Sequence, residues 1–166
     1  MSTRRRRNIY GQMLKACRKG KTKDVGGSWD PQGKCTELDG GVHQICFDLN
    51  QDTKNFSEET YQSNWSESRQ GSRHCMCLGA WALYKTRQDK GDIPYTKDEL
   101  ICDAIPESVF DPAYVDIWST WNGHQLENQI HNGIEHLYQQ CRRKSRNRSQ
   151  KKYLDKKYRK LKTYLS

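Results

Sequence analysis

Seven cysteines and five histidines carry the most specific chemistry in this chain, and Cys75 and Cys77 stand one residue apart directly after His74. Thiolates and imidazoles together are zinc ligands, and a thiolate beside an oriented base is a nucleophile. The spacing spells out neither. His43-x2-Cys46 and His74-Cys75-x-Cys77 depart from the paired Cys-x2-Cys pattern of structural zinc sites. On a strand, His43 and Cys46 would face opposite sides, so a histidine base is not aimed at that thiol. There is no Walker loop, dinucleotide-binding glycine fingerprint or metalloprotease His-Glu pair. The expectation is therefore no catalytic residue, no metal and no cofactor, with the thiols buried and free or joined in an intrachain disulfide. An odd cysteine count without secretory features argues against a full disulfide framework.

The elements that must position these cysteines begin with residues 73–84, the densest apolar run in the chain. Small residues at 79, 80 and 82 beside Leu78, Trp81 and Tyr84 predict a central buried helix. Its cap would be Ser72, its exposed end would begin at Lys85, and Gly91 would stop it. Residues 42–49, rich in β-branched and aromatic side chains, predict a strand facing Cys75 or Cys77, and residues 99–106 a second short strand ended by Pro106. Residues 8–17 read as a short helix or a segment laid along the body, and residues 18–33 as a loop. Residues 50–71 read as a long connection pinned by Phe56, Tyr61 and Trp65. Asp111-Pro112 opens a helix with Tyr114, Ile117, Trp118 and Trp121 on one face, stopped by Asn122-Gly123. Leu126, Ile130, Ile134, Leu137, Tyr138 and Cys141 trace the clearest helical stripe, with Gly133 its weak point; Leu154, Tyr158, Leu161 and Leu165 trace another among lysines. The fold class this predicts is α+β: a small sheet packed around a central Cys-x-Cys helix, with C-terminal helices and basic terminal extensions.

Charge divides the 166 residues in three. Residues 1–23, a basic arm, hold nine Lys or Arg and no acid, while residues 142–166, a basic amphipathic tail, hold twelve and one acid. Residues 24–141, the globular domain, hold eight basic and nineteen acidic residues. An acidic body thus carries two cationic ends inside a net charge of +9. The candidate partner-binding residues are Arg4, Arg5, Arg6 and Arg7 at one end. At the other are Arg142, Arg143, Lys144, Arg146, Arg148, Lys151, Lys152, Lys156, Lys157, Arg159 and Lys160. Cations interleaved with Tyr153, Tyr158 and Tyr164 suit three partners: nucleic acid, through phosphate contacts and stacking; an anionic membrane, with Leu154, Leu161 and Leu165 dipping inward; or an acidic protein. No window approaches the roughly 20 apolar residues of a membrane span, and no apolar stretch follows the N-terminal arginines, so neither a transmembrane segment nor a signal peptide is expected. The Asn-x-Ser triplets at Asn55, Asn64 and Asn147 then read as chance matches.

Asn8-x2-Gly11-x2-Leu14-x2-Cys17, Gly33-x-Cys35, Gly41-Val42-His43-x2-Cys46 and Gly71-x2-His74-Cys75-Met76-Cys77 follow one another in this chain. In that order they resemble the landmarks of a domain-of-unknown-function family found in bacteria and large DNA viruses. Its hallmark, Gly-Asp-Arg-Trp-Cys-Leu-Cys-Ala, reads here Gly71-Ser72-Arg73-His74-Cys75-Met76-Cys77-Leu78. His74 replaces the tryptophan, and the family's following Thr-His segment has no counterpart near residues 100–106. Asp103-Ala104-Ile105-Pro106 and Trp118-x2-Trp121-Asn122-Gly123 look like the viral relatives. The resemblance covers about residues 8–84. It implies that the structural thiols Cys17, Cys35, Cys46, Cys75 and Cys77 belong to one framework in space, and it brings no activity.

The leading expectation is a non-enzymatic structural protein of a large assembly, a minor capsid protein of a large DNA virus. It would be found in the virion and assembled in the host cytoplasm, bridging neighbouring capsid subunits through its basic ends, with an anionic membrane surface as a further partner. The alternative is a nucleic-acid-binding protein, genome-associated or part of a ribonucleoprotein, and a zinc- or thiol-dependent enzyme is third.

Overall fold

The order of elements follows from where apolar residues recur and where the chain can turn. A computed structural model describes residues 6–18, 28–37, 42–49, 53, 55–68, 72–95, 99–118, 120–121 and 124–165. Strand β1 (Ile45–Asp48) falls inside the predicted strand. Two single-turn helices, α1 (Phe56–Glu59) and α2 (Trp65–Ser68), interrupt the long connection. Phe56 and Trp65 are buried, but Tyr61 is 79% exposed, so two of the three expected anchors hold that segment.

The predicted helix over residues 73–84 is two elements. Strand β2 (Arg73–Met76) runs antiparallel to β1, with Ile45 opposite Met76, Cys46 opposite Cys75, Phe47 opposite His74 and Asp48 opposite Arg73. Helix α3 (Leu78–Asp89) starts only after Cys77, whose extended backbone makes it the N-cap and whose sulfur accepts from the Ala80 N–H at 3.3 Å. Pairing with β1 takes residues 73–76 out of the helix, and Cys77, not Ser72, caps it. The expected stop at Gly91 holds: its φ of +83° suits glycine, and the helix ends at Lys90.

Residues 99–106 form no second regular strand. Leu100 makes a single bridge to Phe47 before the chain tightens into 3-10 turns at Cys102–Ala104 and Glu107–Phe110. Helix α4 (Pro112–Asp116) opens as predicted, with the Asp111 side chain accepting from Ala113 N–H at 3.0 Å, but it stops after five residues. The expected aromatic face is not formed, and Ile117 is 54% exposed. Strands β3 (Thr120–Trp121) and β4 (His124–Gln125) pair instead, on either side of Asn122-Gly123, which lie outside the described residues. Asn-Gly between alternating residues signals a hairpin as much as a helix end, and cross-strand pairing selects the hairpin. Helices α5 (Glu127–Arg143) and α6 (Arg148–Leu165) follow their apolar stripes closely.

The result is an α+β fold whose core sits between the β1–β2 pair, α3 and α5. Phe47 meets Tyr84 edge-on at 4.9 Å and Trp81 at 6.0 Å, and Phe56 meets Tyr84 at 5.3 Å. Each such pair adds about 0.5–1.5 kcal/mol beyond the area it buries. Gly133, far from a weak point, lets α5 lie against α3: a β-carbon there would stand 3.2 Å from the Trp81 ring and 3.3 Å from the Ala82 backbone. The Trp81 indole N–H donates to the Gly133 carbonyl at 2.8 Å across the same contact. Gly133→Leu should therefore cost about 3 kcal/mol by overpacking, read as a lowered midpoint in urea unfolding.

Candidate functional site

Four chain segments meet at the sulfurs. The cross-strand pairing of β1 and β2 places Cys46 and Cys75 side by side. Cys17 arrives on the N-terminal segment, held by its N–H donating to the Gly33 carbonyl at 2.7 Å. Cys35 arrives on the turn that Gly33 closes with a φ of +81°. Cys17 bonds to Cys46 and Cys35 to Cys75, with Cα–Cα distances of 5.6 and 5.5 Å; Cys102 bonds to Cys141 at 5.7 Å, tying the 3-10 turn to α5. Six of the seven cysteines are thus in disulfides, where sequence reasoning argued against a full framework. The odd residue is Cys77, buried, capping α3, its thiol pushed up to about 11 by burial. A protonated, enclosed thiol is a poor nucleophile. His43 is likewise not a base for Cys46: its Nδ1 lies 3.3 Å from the Thr36 hydroxyl, and burial lowers its pKa. His74 stacks on Trp65 at 4.2 Å with its Nδ1 3.4 Å from the Ser28 hydroxyl.

The described part of the N-terminal segment, residues 6–18, meets the C-terminal helix α6. Asn8 organises the N-terminal segment, its side chain accepting from Tyr10 N–H at 2.9 Å and Gln12 N–H at 3.1 Å and donating to the Asp103 carbonyl at 3.1 Å. This turns Gly11 onto the ring of Tyr153 in α6, so closely that a β-carbon would fall within 2.7 Å of it. Gln150 donates to Gln12 at 2.9 Å, and Tyr153 donates to Glu107, whose own N–H bonds the Arg7 carbonyl at 3.0 Å. Residues 6–18 and 148–165 are therefore packed on the body: Ile9, Leu14, Leu154 and Leu161 are buried, and Tyr158 stacks on Tyr138 at 3.8 Å.

Packing sorts the predicted partner-binding cations. Arg4 and Arg5 lie outside the described residues. Arg6 is engaged within the chain, at 2.7 Å from Glu37 and 2.5 Å from the Cys35 carbonyl, and Arg7 is exposed. Asp155 pairs with Arg142 at 3.1 Å and with Arg159 at 3.8 Å, Lys157 meets Glu107 at 3.5 Å, and Lys144 donates to the Leu100 carbonyl at 2.5 Å. Arg143, Arg146, Arg148, Lys151, Lys152, Lys156 and Lys160 are outside these pairs. All seven are exposed, and no carboxylate among the described residues bridges to them. Between the ends lies a cleft of about 360 Å³ lined by Lys15, Arg73, Lys144 and Arg146, with Asp103 held at 3.3 Å by Lys15.

The chain matches no family model, no curated protein and no solved structure. Among the described residues, no helix is long and apolar enough to cross a membrane.

One polar cluster escaped sequence reasoning altogether. Lys85, expected at the exposed end of α3, is fully buried and ion-paired with the fully buried Glu99. It also donates to Gln88 at 2.7 Å and lies 4.5 Å over the Trp81 ring. Gln88 and Gln140 each donate to Glu99 at 3.2 Å, so α3, α5 and the segment after Pro94 share one carboxylate. Burial pulls the Lys85 ammonium below the usual lysine range while Glu99 opposes that shift. Polar flanks at Gln88 and Gln140 were the available signal. Glu99→Ala should cost about 3–5 kcal/mol by leaving a buried unpaired cation, whereas Lys85→Met with Glu99→Leu should recover most of that loss, both read by urea unfolding.

Proposed function

We propose that this chain is a non-enzymatic structural protein of a large assembly, a minor capsid protein of a large DNA virus, which docks on acidic surfaces of neighbouring subunits through the cationic face of α6. The observation that carries the docking is the row Arg148, Lys151, Lys152, Lys156 and Lys160, left outside every ion pair among the described residues on a helix whose opposite side is fixed to the body. A rigid row of cations meets a complementary acidic surface without the ordering cost of a free tail. The capsid setting rests on the resemblance of the second half of the chain to viral relatives.

The other readings have less support. Membrane insertion needs Leu154 and Leu161 at the surface, and both are spent in the core. Stacking on single-stranded nucleic acid uses a series of open aromatic faces, and of the three tyrosines Tyr158 is stacked on Tyr138, Tyr153 covers Gly11 and Tyr164 alone is exposed. A thiol enzyme needs an accessible, activated thiolate, and Cys77 is neither. Duplex phosphate binding needs only cations and is the second reading, discriminated by its salt dependence.

Truncating α6 would strip Leu154 and Leu161 from the core, so charge reversal is the cleaner probe. Replacing Lys151, Lys152, Lys156 and Lys160 by Glu should leave the melting temperature within a few degrees of wild type yet lower incorporation into particles by roughly tenfold or more. Unchanged incorporation, or tight duplex DNA binding with a steep salt slope that the same variant abolishes, would overturn the acidic-partner reading.

A further inference from the structure

Cys17, Cys35 and Cys46 hold their sulfurs within 4.8 Å of one another, and Cys75 is bonded to Cys35 and stands opposite Cys46 across the ladder. All four are fully buried. Four sulfurs around a tetrahedral zinc ion, at about 2.3 Å each, stand about 3.8 Å apart, so once the bonds are reduced the paired sulfurs part by about 2 Å and Cys75, outside the group of three, swings toward Cys17 and Cys46 to complete such a site. We propose that these four cysteines form a redox-convertible staple: two disulfides when oxidised, and one structural zinc site with four thiolate ligands when reduced.

Three features favour zinc over four loose thiols. The ligands come from four separate segments, so a metal ion would hold together the same elements that the disulfides hold. The site is closed on every side, as structural rather than catalytic zinc sites are. Two cations border it, Arg18 packed over Gly33 and Arg6, which donates to the Cys35 carbonyl while paired with Glu37, and the Arg18 charge suits the net double negative charge of four thiolates around one divalent ion. The Cys102–Cys141 pair has no third ligand beside it among the described residues and stays a plain disulfide or dithiol.

The conversion balances with a dithiol reductant and a peroxide oxidant. Each disulfide takes two electrons and two protons from one dithiol, which leaves as its own disulfide, and zinc then displaces the four thiol protons. In reverse, two hydrogen peroxide molecules and four protons take four electrons from the zinc-bound thiolates; both disulfides form, zinc is released and four waters leave.

The test uses the full chain purified anaerobically with a thiol reductant and zinc, then desalted and assayed for metal and for circular dichroism. The expected result is about one zinc per chain, unchanged by Cys102→Ser with Cys141→Ser, and released by peroxide as the Cys17–Cys46 and Cys35–Cys75 bonds form. Because a serine at any of the four positions also removes a disulfide, cobalt substitution of the wild-type chain supplies the second readout: visible bands of tetrahedral thiolate-ligated cobalt support the site. A reduced chain that stays folded with less than a tenth of a zinc per chain, or cobalt spectra without thiolate charge transfer, overturns it.

Discussion

The pairing of β1 with β2 is the contact on which the rest depends. It sets Cys46 beside Cys75, and from those two residues covalent bonds run to Cys17 and Cys35, so that a ladder of four residues per strand fixes the N-terminal segment and the following turn. A two-stranded ribbon alone is marginal in water. Cross-links spanning 29 and 40 residues offset that weakness by restricting the unfolded chain, typically by about 2–4 kcal/mol each. The price is a chain whose fold depends on its redox environment.

From that node the architecture reaches function through one further step. The N-terminal segment, once held at Cys17, presents Gly11 and Gln12 to α6, and the Cys102–Cys141 bond ties α5 to the turns beneath it. Helix α6 thus lies on a prepared seat, apolar and aromatic residues inward and lysines outward. Residues 6–18 and 148–165, which look like parts of separate tails in the sequence, pack against each other on the body. The buried Lys85–Glu99 pair joins α3 and α5. Buried pairs of this kind add little net stability over an apolar replacement, and their effect here is to fix which residues of the two helices meet.

What the sequence made legible were the elements with a strong local signature. Helices α5 and α6 show a 3.6-residue apolar stripe among polar neighbours, and β1 is rich in β-branched and aromatic residues. Residues 73–76 were misread because Arg-His-Cys-Met has no alternation of its own; only its partner strand, far off in sequence, makes it extended. Lys85 was misread because a charge at the end of an apolar run ordinarily marks the surface, and its partner Glu99 is distant in sequence. Five of the cysteines were legible as one framework through the resemblance, but not their pairing, since seven cysteines on six separated segments allow many pairings and only the tertiary fold, with the β1–β2 register setting Cys46 beside Cys75, chooses among them.

The most direct test of this account is a non-reducing peptide map of the folded, oxidised chain, alkylated before digestion. The account predicts cross-linked peptides joining Cys17 to Cys46, Cys35 to Cys75 and Cys102 to Cys141, with Cys77 alkylated only after denaturation. A disulfide through Cys77, or Cys46 and Cys75 both alkylated in the oxidised native chain, would contradict it.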